Sequence, residues 1–189
     1  MQKLISQLKR ICKDSNKILD IILFGSYIKE KEKPKDIDLA ILFKEEDYNY
    51  IDKINLKIKN IIQKYNLIPH IQVLLIDNIF KEPLYLTLLH EGFSIKNKIY
   101  ISKSLKTESC ILIIYSLKNL NYSKKTLFGY ALKGRTGKKG LLYQINGKTI
   151  GRNSILIPTN KLEIIKDFLN LWGIKYSIER VLIIGTHVQ

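Results

Sequence analysis

The chain has 189 residues and a mass of 22.0 kDa, which is room for one medium domain or two small ones. Hydrophobic residues make up 46% and charged residues 26%, a composition that supports a packed core and excludes wholesale disorder. No stretch reaches the roughly 18 uncharged apolar residues that span a bilayer, and the N-terminus lacks the apolar core of a signal peptide, so a cytoplasmic protein is expected. The two cysteines, Cys12 and Cys110, form neither a disulfide framework nor a metal-ligand set.

Basic charge is concentrated in the second half of the chain. Lys and Arg number 32 against 17 Asp and Glu, which gives a formal net charge of +15. Residues 105–189 carry 14 basic and 4 acidic side chains, and no acidic residue occurs between Glu108 and Glu163. A field of one sign attracts polyanions, so nucleic acid is an expected partner. The alternative is a general lysine bias that keeps the protein in solution.

The first half alternates between helical and strand patterns. Apolar residues at helical spacing indicate helices, and short apolar runs bounded by polar or glycine positions indicate buried strands. In chain order, the pattern predicts a helix over 2–12, strands over 17–24 and 36–43, a helix over 47–65, a strand over 71–76, and a helix from Pro83 to His90 that Gly92 caps.

The second half is less regular. Its predicted elements are a helix over 107–120, a glycine- and lysine-rich segment over 129–151, a strand over 155–157, a helix over 161–172 that Gly173 ends, and a strand over 174–185. Asn146-Gly147 is typical of a two-residue hairpin turn. The apolar periodicity lapses near 102–107, which predicts one domain at 1–103 and a second, basic α+β domain at 104–189.

The most informative pattern is a Gly-Ser pair after the first predicted strand and an Asp-x-Asp at the start of the second. Alternation along a strand places the side chains of Asp36 and Asp38 on one face, where two carboxylates repel each other unless a cation lies between them. Oxygen ligands of this kind suit Mg²⁺, which often shares them with phosphates. Gly25 permits close approach of a phosphate, and Ser26 offers a hydroxyl and a helix N-terminus to an anion. Together these residues predict a site for a metal-bound triphosphate.

The segment Phe24-Gly25-Ser26 followed by Asp36-Ile37-Asp38-Leu39-Ala40-Ile41 resembles the signature of the minimal nucleotidyltransferase branch of the DNA polymerase β superfamily. The resemblance covers roughly residues 15–100, including Pro83 to Ile95. It implies an α/β (α+β) fold in which helices flank a small mixed sheet. It also implies transfer of a nucleoside monophosphate from a nucleoside triphosphate to a hydroxyl group, with release of pyrophosphate.

The resemblance further implies roles for individual residues. By this resemblance, Gly25 and Ser26 hold the β- and γ-phosphates of the nucleoside triphosphate. Lys29 keeps a positive charge at a position where the family frequently has an arginine. Asp36 and Asp38 match the catalytic pair that holds two Mg²⁺ ions, which stabilise the attacking and leaving oxygens.

The chain departs from the family pattern on the next strand. The family usually places a third carboxylate there, and the position falls on Gln72, whose amide is uncharged and accepts no proton as a general base. Asp77 lies five residues further on, an odd step that turns it to the other face of a regular strand unless a bulge brings it back. His70 is interpreted as a surface histidine that follows Pro69. Nucleotide binding is therefore better supported than turnover.

A glycine-rich basic segment from Lys133 to Gly140 is the candidate nucleic-acid site of the second half. Its Lys133, Arg135, Lys138 and Lys139 suit the neutralisation of phosphates, and its glycines let the backbone follow a phosphate chain. Aromatic residues interleave with it and offer stacking surfaces for unpaired bases. The alternative is a flexible hairpin loop among core tyrosines. The spacing is not that of a P-loop.

Two functions follow as competing hypotheses. The first is a Mg²⁺-dependent nucleotidyltransferase that uses a nucleoside triphosphate and presents RNA, DNA or protein as the acceptor on its basic C-terminal domain. The second is a catalytically degenerate nucleotidyltransferase-fold module that binds nucleic acid or a partner protein, including an antitoxin role. The apparent replacement of a carboxylate by Gln72 motivates the second hypothesis.

Overall fold

The computed structural model of the chain describes residues 2–25 and 35–184. The chain divides into two compact units, Met1–Thr107 and Glu108–Gln189. Ser26 and Lys29, two of the predicted phosphate contacts, lie outside the described residues. Within the described part of the chain, no helix is both long enough and apolar enough to cross a bilayer.

The first unit alternates helices and strands along the chain. Its elements are α1 (Gln2–Lys13), β1 (Ile18–Phe24), β2 (Asp36–Phe43), α2 (Tyr48–Gln63), β3 (Ile68–Leu75), a 3₁₀ turn (Ile76–Lys81), α3 (Leu84–Glu91), β4 (Phe93–Ser94), β5 (Ile99–Tyr100) and α4 (Ile101–Ser104). The three helices and three strands predicted here from periodicity are confirmed, with boundaries that differ by up to three residues.

The sheet of the first unit is mixed and has the strand order β3-β2-β1-β4-β5. β2 pairs with β3 in parallel, whereas the neighbouring pairs from β2 to β5 are antiparallel. The parallel pair is joined by a crossover through α2, the connection that parallel strands require. This mixed sheet with flanking helices confirms the fold that the family resemblance implies.

Alternation along the strands gives this sheet two buried faces. One face of the sheet packs against α1 and α2. The largest fully buried side chains of this layer, from the sheet and from both helices, are Leu4, Leu8, Ile18, Ile21, Ile37, Leu39, Ile41, Phe43, Ile58 and Ile62. On the other face Ile22, Ala40 and Leu74 pack with Leu88 of α3. Asp36 and Asp38 share that second face with Ala40 but are only partly buried, which leaves the start of β2 accessible.

The second unit is a four-stranded sheet with helices on one side. Its elements are β6 (Thr107–Ser116), α5 (Tyr122–Lys133), β7 (Gly134–Arg135), β8 (Lys138–Lys139), α6 (Leu141–Gln144), β9 (Lys148–Gly151), β10 (Ser154–Pro158), a 3₁₀ turn (Thr159–Lys161), α7 (Leu162–Leu171) and β11 (Lys175–Ile184). The strand order is β11-β6-β10-β9, and β7 and β8 form a separate two-stranded hairpin. Phe128 of α5 and Leu169 of α7 belong to the same buried cluster as Ile113 and Ile155 of the sheet.

The helix predicted over 107–120 is wrong, because most of this segment is the ten-residue strand β6. Ile111 and Ile113 are fully buried while Ile114 is 48% exposed, which is the alternation of a strand. Its β-branched residues fit a pleated surface better than a helix. The strand at 155–157, the helix at 161–172 and the strand at 174–185 are confirmed.

The hairpin predicted at Asn146-Gly147 is also wrong. The residues before it form the short helix α6, in which Leu142 is buried, and Ile145 at the C-terminal cap of the helix is buried as well. Asn146 adopts a φ of 55°, and the N–H of Gly147 donates to the Leu142 carbonyl at 2.7 Å, so the pair ends a helix. The hairpin turn lies instead between β9 and β10, where Arg152 and Asn153 join two antiparallel strands.

Candidate active site

Asp36 and Asp38 begin strand β2 and face the same side of the sheet. Ile37 and Leu39, which alternate with them, are 1% and 0% exposed and anchor the strand in the core on the opposite face. The side chain of Asp38 is 23% exposed and that of Asp36 is 44% exposed. The hydrophobic positions of β2 therefore fix where the two carboxylates point.

Gly25 follows the last residue of β1 and lies against Asp38. Phe24 is the cross-strand partner of Asp38, so the chain passes the carboxylate as it leaves β1. Gly25 has a φ of +75°, and a Cβ on this residue would overlap Oδ2 of Asp38. Both the backbone conformation and the absence of a side chain are required here. The glycine therefore lets the carboxylate of Asp38 pack directly against the backbone at the end of β1.

His70 is the third member of the site, contributed by β3. The parallel register pairs it directly with Asp38. Its Nδ1 lies 3.3 Å from Oδ1 of Asp38 and 4.0 Å from Oδ2 of Asp36. The ring is exposed, as expected for a surface histidine, yet it contacts both carboxylates.

Gln72 does not take the place next to Asp38 that the family resemblance gave it. The same register pairs Gln72 with Ala40, two residues further along β2. Asp77 lies beyond the far end of β3, in the 3₁₀ turn after Leu75. Because strands rise about 3.3 Å per residue, the end of β3 is already about 16 Å from His70. Asp77 is thus remote from the two aspartates.

The sequence missed His70 because the third strand was predicted to begin at residue 71. The strand in fact begins at Ile68 and includes Pro69, which cannot donate a ladder hydrogen bond. β3 is an edge strand of the described sheet and tolerates a proline near its start. The signal that finds His70 is the parallel register, which places it across from Asp38 once β3 begins at Ile68.

The three side chains form a set of donors suited to a divalent cation. One ligand atom from each of Asp36, Asp38 and His70 lies within 4.8 Å of the others. Two carboxylates fit Mg²⁺, which prefers oxygen, and an imidazole nitrogen shifts preference toward transition-metal ions. The donor set therefore fits a divalent metal.

The candidate nucleic-acid residues of the second unit lie on and directly before the β7–β8 hairpin. Lys133 ends α5, and Arg135 pairs with Lys138 across the β7–β8 hairpin. Arg135 Cζ lies 5.8 Å from the centre of the Tyr130 ring. Lys139 lies against a different aromatic ring, with its Nζ 3.7 Å from the centre of Tyr143. All four basic residues are exposed.

Comparison with known protein families identifies the family of the first unit. Residues 6–99 match the family described as polymerase beta, nucleotidyltransferase. The first unit of the chain, with its mixed sheet and paired aspartates, is a nucleotidyltransferase domain of the polymerase β family. No curated protein matches the chain.

Proposed function

We propose that this protein is a divalent-metal-dependent nucleotidyltransferase. It takes a nucleoside monophosphate from a nucleoside triphosphate and transfers it to a hydroxyl group of a nucleic-acid or protein acceptor. The acceptor hydroxyl gives up its proton to solvent, its oxygen bonds to the α-phosphorus, and the bond between the α-phosphorus and the oxygen of the departing pyrophosphate breaks. The observation that carries the proposal is the meeting of Asp36, Asp38 and His70 beside Gly25, within a domain of this family.

Each residue of the site has a proposed part in holding the substrate. Asp36, Asp38 and His70 would hold one or two divalent ions such as Mg²⁺, which supply positive charge to the triphosphate and to the departing pyrophosphate. Gly25 allows the carboxylate of Asp38 to lie directly against the end of β1, because any side chain at this residue would overlap Oδ2. By the family resemblance, Ser26 and Lys29 complete the phosphate contacts.

His70 changes the character of the site relative to three carboxylates. A neutral imidazole contributes a nitrogen ligand and no negative charge, so the donor set carries two negative charges instead of three. Such a set binds a hard ion like Mg²⁺ less strongly and a transition ion like Mn²⁺ comparatively better. The proposal for turnover therefore does not depend on Gln72, because His70 would supply the third ligand beside Asp38.

We propose nucleic acid as the acceptor class because of the charge of the second unit. No acidic residue occurs between Glu108 and Glu163, and the exposed Lys133, Arg135, Lys138 and Lys139 lie in this interval. A surface of this kind binds a phosphate backbone without regard to sequence. A protein acceptor does not require a positively charged surface on the second unit.

Incorporation of labelled nucleotide tests the proposal. The protein is incubated with each labelled nucleoside triphosphate, Mg²⁺ or Mn²⁺, and RNA, DNA or protein acceptors. We expect Asp36→Asn and Asp38→Asn to reduce incorporation by at least ~10²-fold, since charge stabilisation of this kind is a dominant catalytic contribution. Asp77→Asn is the matched control, because it removes the same charge far from the site and leaves incorporation unchanged.

Absence of incorporation with every acceptor, together with metal binding that depends on Asp36 and Asp38, would contradict the catalytic proposal. That result favours the degenerate module, in which the site binds a metal-bound nucleotide without transferring it. Calorimetry with Mn²⁺ and a non-hydrolysable triphosphate provides this second measurement.

A further inference from the structure

A cavity of about 720 Å³ lies within the second unit. One wall is the end of β6 and the residues after it, the second is α5, and the third is the turn between β9 and β10. The backbone N–H of Tyr115 donates to the carbonyl of Asn153 at 2.9 Å and holds this turn against the strand. The volume falls in the range of roughly 300–1,000 Å³ that is typical of ligand sites.

All three walls carry cations. None of the described residues that line the cavity is acidic, and none of its cations forms an ion pair with another described residue. The basic lining residues are Lys118, Lys125, Lys133 and Arg152. Four like charges around one cavity repel each other, and an anion in the cavity relieves that repulsion.

The floor of the cavity is aromatic. Tyr115 and Phe128 are 5% and 1% exposed, and their rings meet edge to face with centroids 5.5 Å apart. Tyr130 lines the same cavity with a ring that is 46% exposed, and Arg135 lies against that ring. The ring of Tyr130 is therefore the aromatic surface that the cavity exposes next to its positive charges, and an exposed ring beside cations is the combination that binds unpaired bases and their phosphates.

Gly129 is the feature that points to a ligand. It lies in the interior of α5, where glycine is among the least suitable residues for a helix. A Cβ at Gly129 would meet no atom within 4 Å, so no neighbour in the described structure explains the glycine. It lines the cavity, where the absence of a side chain leaves the helix backbone open to whatever binds.

We infer that this cavity binds single-stranded nucleic acid, with one base on the exposed ring of Tyr130 and the flanking phosphates on the surrounding cations. Cations on three walls can neutralise several successive phosphates of a nucleic-acid strand that passes through the cavity, whereas one isolated phosphate would need only one wall. Stacking on Tyr130 tolerates any base, so the site is not selective for sequence. The inference deepens the proposed function, from which it takes the acceptor class.

The test is fluorescence anisotropy of the full chain with a labelled 12-nucleotide oligo(U), and with a duplex DNA and ATP for comparison. Lys125→Gln with Arg152→Gln is expected to weaken oligo(U) binding by at least ~10-fold. It is also expected to reduce the slope of log affinity against log salt by about 1.4, at about 0.7 for each phosphate that is no longer neutralised. Lys124→Gln with Lys148→Gln is the matched control, because it also removes two exposed cations of the second unit and neither lysine lines the cavity.

Gly129→Ala is the second variant, and it separates binding from folding. Alanine favours the helix, so the melting temperature is expected to rise or stay the same while oligo(U) binding weakens. Equal losses in the two double variants, unchanged binding by Gly129→Ala, or binding of ATP but not oligo(U) would each overturn the inference. Asp36→Asn is expected to keep full oligo(U) affinity, so a failure of catalysis remains distinguishable from a failure of this site.

Discussion

Gly25 and Asp38 are packed so closely that a Cβ on the glycine would lie 2.1 Å from the Asp38 carboxylate oxygen Oδ2, a severe overlap. Replacement of this glycine therefore has two costs, a strained backbone at a φ of +75° and displacement of a metal ligand. We expect Gly25→Ala to weaken metal binding and to reduce incorporation, each by at least ~10²-fold, measured by calorimetry and by the labelling assay.

The control for that variant is Gly173→Ala. Gly173 has a φ of +61°, but a Cβ there meets nothing within 4 Å, so it introduces backbone strain without a clash. Equal losses of metal affinity in both variants would show that strain alone, and not the contact with Asp38, disables the site.

His70 gives a prediction about metal preference. His70→Ala removes the proposed nitrogen ligand and is expected to weaken Mn²⁺ binding by at least ~10-fold. A loss of this size already follows when a residue that only hydrogen-bonds to a metal ligand is replaced. His70→Asp adds a carboxylate and is expected to strengthen Mg²⁺ binding relative to Mn²⁺. Calorimetric titration of both ions into each variant measures the change. Gln72→Ala is the control, and an effect as large as that of His70→Ala would contradict the assignment of the third ligand.

The ion pair and helix cap made by Asp47 are expected to make the stability of the folded protein depend on pH. The side chain of Asp47 accepts a hydrogen bond from Lys17 at 2.8 Å and caps α2 by accepting from the backbone N–H of Tyr50 at 3.1 Å. The Lys17 hydrogen bond, followed by the Tyr50 N–H, lowers the pKa of Asp47 below its ordinary value. A carboxyl whose pKa is lower in the folded state adds stability above its unfolded pKa, and that stability is lost as the pH falls through the folded value.

We therefore expect Asp47→Ala to lower the melting temperature at pH 7, and the difference from the unmodified protein to shrink in acid. Asp47→Asn keeps the cap but loses the ion pair, so its loss is smaller. Asp52→Ala, an exposed aspartate within the same helix, is the control. A difference in melting temperature that does not change with pH would contradict the role of the carboxylate charge.

The buried thiol of Cys12 is expected to react slowly with alkylating reagents. Cys12 lies in the core between α1 and the sheet with 2% exposure, and burial raises the pKa of its thiol to about 11. Because the thiolate is the reactive form, iodoacetamide is expected to label Cys12 at pH 8 far more slowly than a free thiol until the protein unfolds. Labelling in a Cys110→Ser background isolates this residue. Rapid labelling of the folded protein would mean that α1 opens readily.

The sequence alone predicted the paired aspartates because strand periodicity and the Gly-Ser pair are local signals. His70 required a relation between distant segments, the parallel register of β2 and β3, which no local pattern contains. The strand β6 was taken for a helix because Ile and Leu suit either element, and pairing with β10 decided between them. Tertiary context thus supplied what periodicity could not.

β3 pairs with β2 alone among the described strands, so His70 lies at the edge of the sheet, whereas Asp36 and Asp38 lie on a strand flanked on both sides. Because the ends of edge strands open more readily than central strands, we expect opening at Ile68 to withdraw the imidazole while both aspartates stay in place. The proposed site would then combine one withdrawable ligand with a fixed pair. Its rate of metal exchange is expected to follow the opening of this strand end, which amide hydrogen exchange measures.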